Sequence, residues 1–200
     1  AASDVYKRQH SDLIFHGKRH TPTASVSDEA ARYVVTGISG TKTFNLAGLI
    51  GSYHIIYNKA LRERIEKESS LSHYNSMNVL SMHALIGAYT QEGSDWVDEL
   101  REVLTGNVNF ACNFIAENFP GVKVMKPQGT YMLFLDCTQW CEEHGKTIDE
   151  LQKAGWDVGV AWQDGRGFHG PCHIRMNLAL PLSRCLLYTS DAADDLTRVD

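Results

Sequence analysis

Lys42 sits in the run Ser39-Gly40-Thr41-Lys42-Thr43-Phe44-Asn45-Leu46-Ala47-Gly48, directly behind the apolar stretch Tyr33-Val34-Val35-Thr36-Gly37-Ile38. A primary amine there can condense with an aldehyde, and the small hydroxyl residues around it can donate hydrogen bonds to a phosphate. A Schiff-base amine beside a phosphate cradle is the local chemistry that pyridoxal 5′-phosphate requires. A nucleotide phosphate loop does not fit. That loop needs Gly-Lys-Ser/Thr and a wider glycine spacing, whereas Thr41 precedes this lysine and Gly37 lies close to Gly40. An isolated lysine in a strand-to-helix loop is ordinarily a solvated side chain, so the reading depends on what else the chain carries.

Arg175 is the second candidate. It lies in His173-Ile174-Arg175-Met176-Asn177-Leu178, with apolar residues on both sides. On a buried strand an arginine needs a partner. Its planar fork suits a substrate α-carboxylate in a bidentate way that lysine does not match. The plainer alternative is a pair with a surface carboxylate. Cys137 and Cys141 have zinc-ligand spacing, and His169, Cys172 and His173 add donors. The two cysteines are expected to end a strand with no matching second pair, so no metal site is expected. His10, His16 and His20 read as loop and rim residues.

The elements that must position these residues follow from caps and periodicity. Ser27 caps a short helix through Arg32, and Tyr33 to Ile38 reads as a buried strand. Ser52 to Tyr57 is a second strand, and Asn58 caps a helix through Ile65. Met77 to Tyr89 is helical and apolar on most faces. After Ser94, Leu100, Leu104, Val108, Ala111 and Ile115 mark one side of a long helix, with Val103 beside them. Gly106 inside it is a candidate bend, and Pro120-Gly121 ends it. Val122 to Met125 and Gly129 to Asp136 are strands. Thr147-Ile148-Asp149-Glu150 is a capping box, and Asp157 to Trp162 and His173 to Leu178 are the last strands. The order is α/β in the first half and mixed α+β after the long helix.

The chain has 200 residues, 43% hydrophobic and 22% charged, with a net charge of −5. That composition suits a folded domain and argues against a nucleic-acid partner. No apolar run reaches membrane-spanning length. Five cysteines, an odd number in a chain of this size, argue against a disulfide framework and for a reducing, cytoplasmic setting. Residues 1–9 and 188–200 share no periodicity with the interior and look foreign to it.

The lysine run resembles the lysine motif of fold-type I, class I/II pyridoxal-phosphate aminotransferases. It is most similar to the branch of MalY/PatB-type cystathionine β-lyases, the cysteine-S-conjugate β-lyases. His10-Ser11-Asp12-Leu13-Ile14-Phe15 is similar to the segment after that branch's cofactor-binding aspartate. Gln128-Gly129-Thr130-Tyr131 with Leu135-Asp136 resembles its Gly-Thr-Tyr strand, and His173 to Ala179 its carboxylate-arginine strand. The motifs keep family order over roughly residues 10–187.

The resemblance implies the C-terminal part of a large cofactor domain (residues 10–99), a smaller α+β domain (100–187) and foreign ends. It implies Lys42 as cofactor anchor and general base, Ser39 as phosphate ligand and Arg175 as carboxylate ligand. Thr41 is a looser phosphate candidate. The cofactor is pyridoxal 5′-phosphate, the substrate a small amino acid, and the full-length enzyme a homodimer. The activity implied is a carbon–sulfur β-lyase, with an aminotransferase as the alternative and a non-catalytic α/β binding module as the remote one. The ring-nitrogen aspartate is expected at position 7, where this chain has Lys7. With that residue and the upstream half of the large domain missing, the fragment itself is expected to bind the cofactor weakly and to be inactive.

Overall fold

The computed structural model describes residues 4–8, 11–15, 17–72 and 76–185. His10, His16 and the segment 188–200 lie outside the described residues. The chain divides into two compact units, residues 1–100 and 101–200.

The first unit is built on a three-stranded sheet in the order β1-β2-β3. β1 (Asp4–Arg8) runs parallel to β2 (Val34–Ile38), with Lys7 opposite Gly37, and β3 (Tyr53–Ile55) is antiparallel to β2. β2 is buried through Val34, Val35, Thr36 and Gly37, as expected of a central strand rich in β-branched residues. Tyr33 belongs not to this strand but to the last turn of α1 (Asp28–Tyr33), whose Ser27 cap accepts from the Ala30 N–H at 3.0 Å. Asn58 caps α2 (Lys59–Ser72) by accepting from Leu61 N–H at 3.2 Å, and this helix runs about two turns past the expected end at Ile65. Asn78 caps α3 (Val79–Ala88).

α4 (Gln91–Asn118) starts before Ser94, because Thr90 already supplies a cap acceptor to Gly93 N–H. Leu104, Val108, Ala111 and Ile115 are buried along one side of it, while Val103 is exposed. The helix continues unbroken through Gly106, where a methyl group would meet nothing within 4 Å.

The second unit carries an antiparallel sheet in the order β4-β5-β7-β6. β4 is Lys123–Val124, β5 Met132–Asp136, β6 Gln163–Asp164 and β7 His173–Asn177. Leu133, Leu135, Ile174 and Met176 occupy its buried face. Two expectations fail here. Asp157 to Trp162 is not a strand: α6 (Ile148–Asp157), held by the Thr147–Glu150 capping box, runs to Asp157. A turn follows, and the Trp162 indole then packs so tightly on Gly155 that a Cβ there would lie 2.3 Å from it. Cys141 does not end a strand either. It lies on α5 (Thr138–His144), which starts one residue after Cys137 and ends at left-handed Gly145.

Candidate active site

The carboxyl end of β2 delivers Lys42. After Ile38 the chain makes one helical turn, in which Phe44 N–H donates to Gly40 C=O and Leu46 N–H to Thr41 C=O, both at 2.9 Å. The second bond spans five residues, and the residue before its donor, Asn45, is left-handed with φ 53°. This is how a helix end is closed, with Asn among the few side chains that tolerate the conformation. The turn packs beneath α3: a Cβ on Gly40 would lie 3.0 Å from the Phe44 ring and 3.4 Å from Leu85, and one on Gly51 3.0 Å from Leu85. Glycine is therefore what lets both loops close on the helix.

Lys42 itself is half-buried and, among the described residues, makes no hydrogen bond or ion pair. The residues on either side of it are tied down. Thr43 is 1% exposed and donates its hydroxyl to Asp12 Oδ2 at 2.9 Å. Ser39 is buried and its Oγ lies 2.9 Å from Gly51 O and 3.0 Å from Thr41 Oγ1. The carbonyl can only accept, so Ser39 gives its one proton to Gly51 and accepts from the Thr41 hydroxyl. Ser39 and Thr41 are thus paired where the phosphate ligands are expected, and Ser39 must turn from Gly51 to donate to a phosphate.

Next to the turn, Phe44 meets Tyr89 edge-on at 5.3 Å and stacks with Trp96 at 6.5 Å, and Tyr53 meets Tyr89 at 5.9 Å. Phe44, Leu46, Ala84, Ala88, Gly93 and Trp96 line an open pocket of about 280 Å³. Burial, then the hydrogen bond with Tyr53, pushes the Tyr89 hydroxyl pKa well above the ordinary tyrosine value, so it stays protonated. The Asp12–Thr43 bond and the Gly51 acceptor were missed by sequence reasoning. They join residues distant in the chain, and no local spacing announces them.

In the second unit Arg175 lies mid-β7, flanked across the ladder by Phe134 and Gln163. Its burial differs from expectation. Ile174 and Met176 point into the core, so strand alternation turns Arg175 to the other face, where it is half-buried. Its Nη1 donates to Gln163 Oε1 at 2.9 Å, and its guanidinium carbon lies 4.4 Å from the Phe168 ring centre. Among the described residues no carboxylate pairs with it, so the cation is positioned by a neutral amide and an aromatic face. Tyr131 is close enough for the guanidinium to oppose the rise in its pKa that burial causes. Buried Asn107 of α4 holds the chain just past β7, donating to Leu178 O at 3.0 Å and Leu180 O at 2.8 Å. Among the described residues no group of three or more His, Cys, Asp or Glu is arranged to hold a metal ion.

Comparison with known proteins bears on both units. The chain is 38% identical over 144 residues to cystathionine beta-lyase PatB of Bacillus subtilis (strain 168), covering 72% of this chain and 36% of that protein. It is 29% identical over 180 residues to protein MalY of Escherichia coli (strain K12), covering 88% and 44%. The structure matches cystalysin from Treponema denticola, which contains a pyridoxal 5′-phosphate cofactor, with a TM-score of 0.87 at 25% identity over 98% of this chain and 49% of that one. The chain thus spans half or less of the length of these proteins. The family model for aminotransferase class I and II matches residues 8–185, and with a lysine turn behind a parallel strand and an arginine strand in that order, the chain belongs to that family.

Proposed function

We propose that this chain is the lysine- and arginine-bearing part of a pyridoxal-phosphate C–S β-lyase acting on cystathionine or cysteine S-conjugates. The observation that carries the reading is the Lys42 turn: a half-buried amine, unpaired among the described residues, at the carboxyl end of a parallel strand, with the Ser39 and Thr41 hydroxyls coupled beside it. These residues suit an aldehyde and a phosphate. Lys42 would hold the cofactor's aldehyde carbon, and Ser39, with Thr41 in support, its phosphate. When bound, the cofactor supplies an electron sink for charge developing at the substrate's Cα.

The chain's own residues do the rest. Arg175 binds the α-carboxylate through both fork nitrogens and fixes the direction of the Cα–H bond. The Lys42 amine, once free, takes the Cα proton. The overall reaction consumes one water and yields a thiol, pyruvate and ammonia. An aminotransferase would use the same two residues and return the proton to the cofactor. The 38% identity to a cystathionine beta-lyase favours the lyase. A homodimer and a cytoplasmic setting belong to the same proposal. No helix among the described residues is long and apolar enough to cross a membrane.

Borohydride reduction in the presence of pyridoxal phosphate tests the anchor: a longer protein carrying this chain should acquire a stable adduct on Lys42, found by peptide mass spectrometry. The same protein should release pyruvate from cystathionine in preference to transaminating with 2-oxoglutarate. An adduct on another lysine, or transamination alone, overturns the reading. The 200-residue chain by itself is expected to bind the cofactor weakly and turn over nothing. Robust pyruvate release from it would refute that.

A further inference from the structure

Three thiols gather at one end of the second unit's sheet. Asp136 of β5 is paired with His173 of β7, so Cys137 and Cys172 are the next residues along the same antiparallel ladder. The Cys137 N–H donates to the Cys172 carbonyl at 2.9 Å. Cys141 follows Cys137 by one turn of α5 and is buried, and the Cys172 thiol is near enough to help raise its pKa. Cys137 is 2% exposed and its Sγ lies 3.8 Å from the Leu135 carbonyl. Cys172 is the half-buried member, the one solvent reaches, and all three are free thiols.

We propose that Cys141 and Cys172 form a native dithiol pair that a two-electron oxidant of the peroxide class converts to a disulfide. The Cys172 sulfur attacks a peroxide oxygen, the O–O bond breaks, and hydroxide leaves as water with the thiol's proton, giving a sulfenic acid. The Cys141 sulfur then attacks the Cys172 sulfur. The S–O bond breaks and the Cys141 proton departs with the hydroxide as a second water. Two thiols and one peroxide give one disulfide and two waters. The order of attack follows from exposure: Cys141 is buried, and burial holds its thiol above the ordinary cysteine value, while the more accessible Cys172 meets the oxidant first. The crosslink ties α5 to the entry of the strand that bears Arg175.

The test treats the purified 200-residue chain with hydrogen peroxide under native conditions, blocks remaining thiols, and maps disulfides without reduction. Before blocking, the expected product is a monomer about 2 Da lighter through loss of two hydrogens. It should contain a Cys141–Cys172 peptide that persists in Cys137→Ser and vanishes in Cys141→Ser and Cys172→Ser. A parallel oxidation in concentrated guanidinium should scramble the pairing to include Cys112 and Cys185. Overturning results are a Cys137–Cys172 link, intermolecular dimers, Cys172 carried to sulfinic acid with Cys141 untouched, or the same mixture with and without denaturant. Connectivity is read on the unsubstituted chain, so the outcome does not depend on any variant folding.

Discussion

Lys42 carries an amine that nothing in the described structure neutralises, while its neighbours Ser39 and Thr43 are buried and hydrogen-bonded. Such a contrast suits a residue that must react while its backbone stays fixed. Lys7 departs from the family pattern. It stands on β1 opposite Gly37, one strand from the lysine turn, where the family resemblance expects a carboxylate for the cofactor's ring nitrogen. Lys7→Asp is therefore expected to strengthen retention of pyridoxal phosphate by this chain, measured as absorbance that survives gel filtration. Unchanged or weaker retention would remove position 7 from the site.

A residue of the second unit gives a pH signature. Arg166 bridges Asp164 and Asp149, donating to Asp164 from Nε and Nη2 and to Asp149 from Nη2 at 2.6 Å. The Arg166 hydrogen bonds hold the Asp164 carboxyl down at about 2. A carboxyl lowered on folding stabilises the fold above its ordinary value and loses that contribution as pH falls toward the folded value. Wild type should therefore exceed Asp164→Asn in urea midpoint near neutral pH, with the gap closing between about pH 4 and about pH 2. Asn keeps the oxygen that accepts from the Arg166 backbone N–H, so the cap survives while the charge and the second acceptor for the guanidinium are removed. The pair is solvent-exposed, so added salt should shrink the gap at any pH. A pH-independent gap would assign the effect to packing.

At the scale of elements, the turn after β2 decides where Lys42 stands. Its closure depends on Asn45 at φ 53°. Asn45→Gly should be tolerated, whereas Asn45→Val should cost about 1–2 kcal/mol, the penalty for a bulky residue in the left-handed region. Paired denaturant titrations would show it, and equal midpoints would mean that the turn relaxes freely. The caps of α1, α2 and α6 were legible in sequence, because Ser27, Asn58 and the Thr147–Glu150 box each accept from an N–H in the next turn. β6 was not legible. Gln163 and Asp164 carry no β pattern and form a strand only because β7 offers a free edge. The region around Asp157 misled for the converse reason. Its residues Val158-Gly159-Val160 have strand composition, yet the capped helix before them runs on and Val160 is buried in the turn that follows.

At the scale of the whole molecule, the surface of α3 stands out. Val79 is 64% exposed, Leu80 71% and Ile86 61%, on a helix whose sequence is apolar on most faces. Exposed apolar residues grouped this way promote association. The chain should bind a hydrophobic dye and aggregate with concentration, and replacing Leu80 and Ile86 by lysine should reduce both while far-UV circular dichroism is unchanged. Persistent aggregation in that variant would place the sticky surface elsewhere.

Sequence by itself determined the family, the order of the lysine and arginine elements, the long-helix stripe and most caps. Each of these rests on residues a few positions apart, or on motifs whose order survives along the chain. Tertiary structure alone decided which partners those residues keep. Thr43 bonds Asp12, Ser39 gives its proton to Gly51, and Arg175 faces Gln163 and Phe168 from the half-exposed side of its strand. The three thiols meet because a register and a helix turn converge at one end of a sheet. Such contacts join positions that chain spacing leaves unrelated, and only closure of the sheets and helices brings them within hydrogen-bond distance.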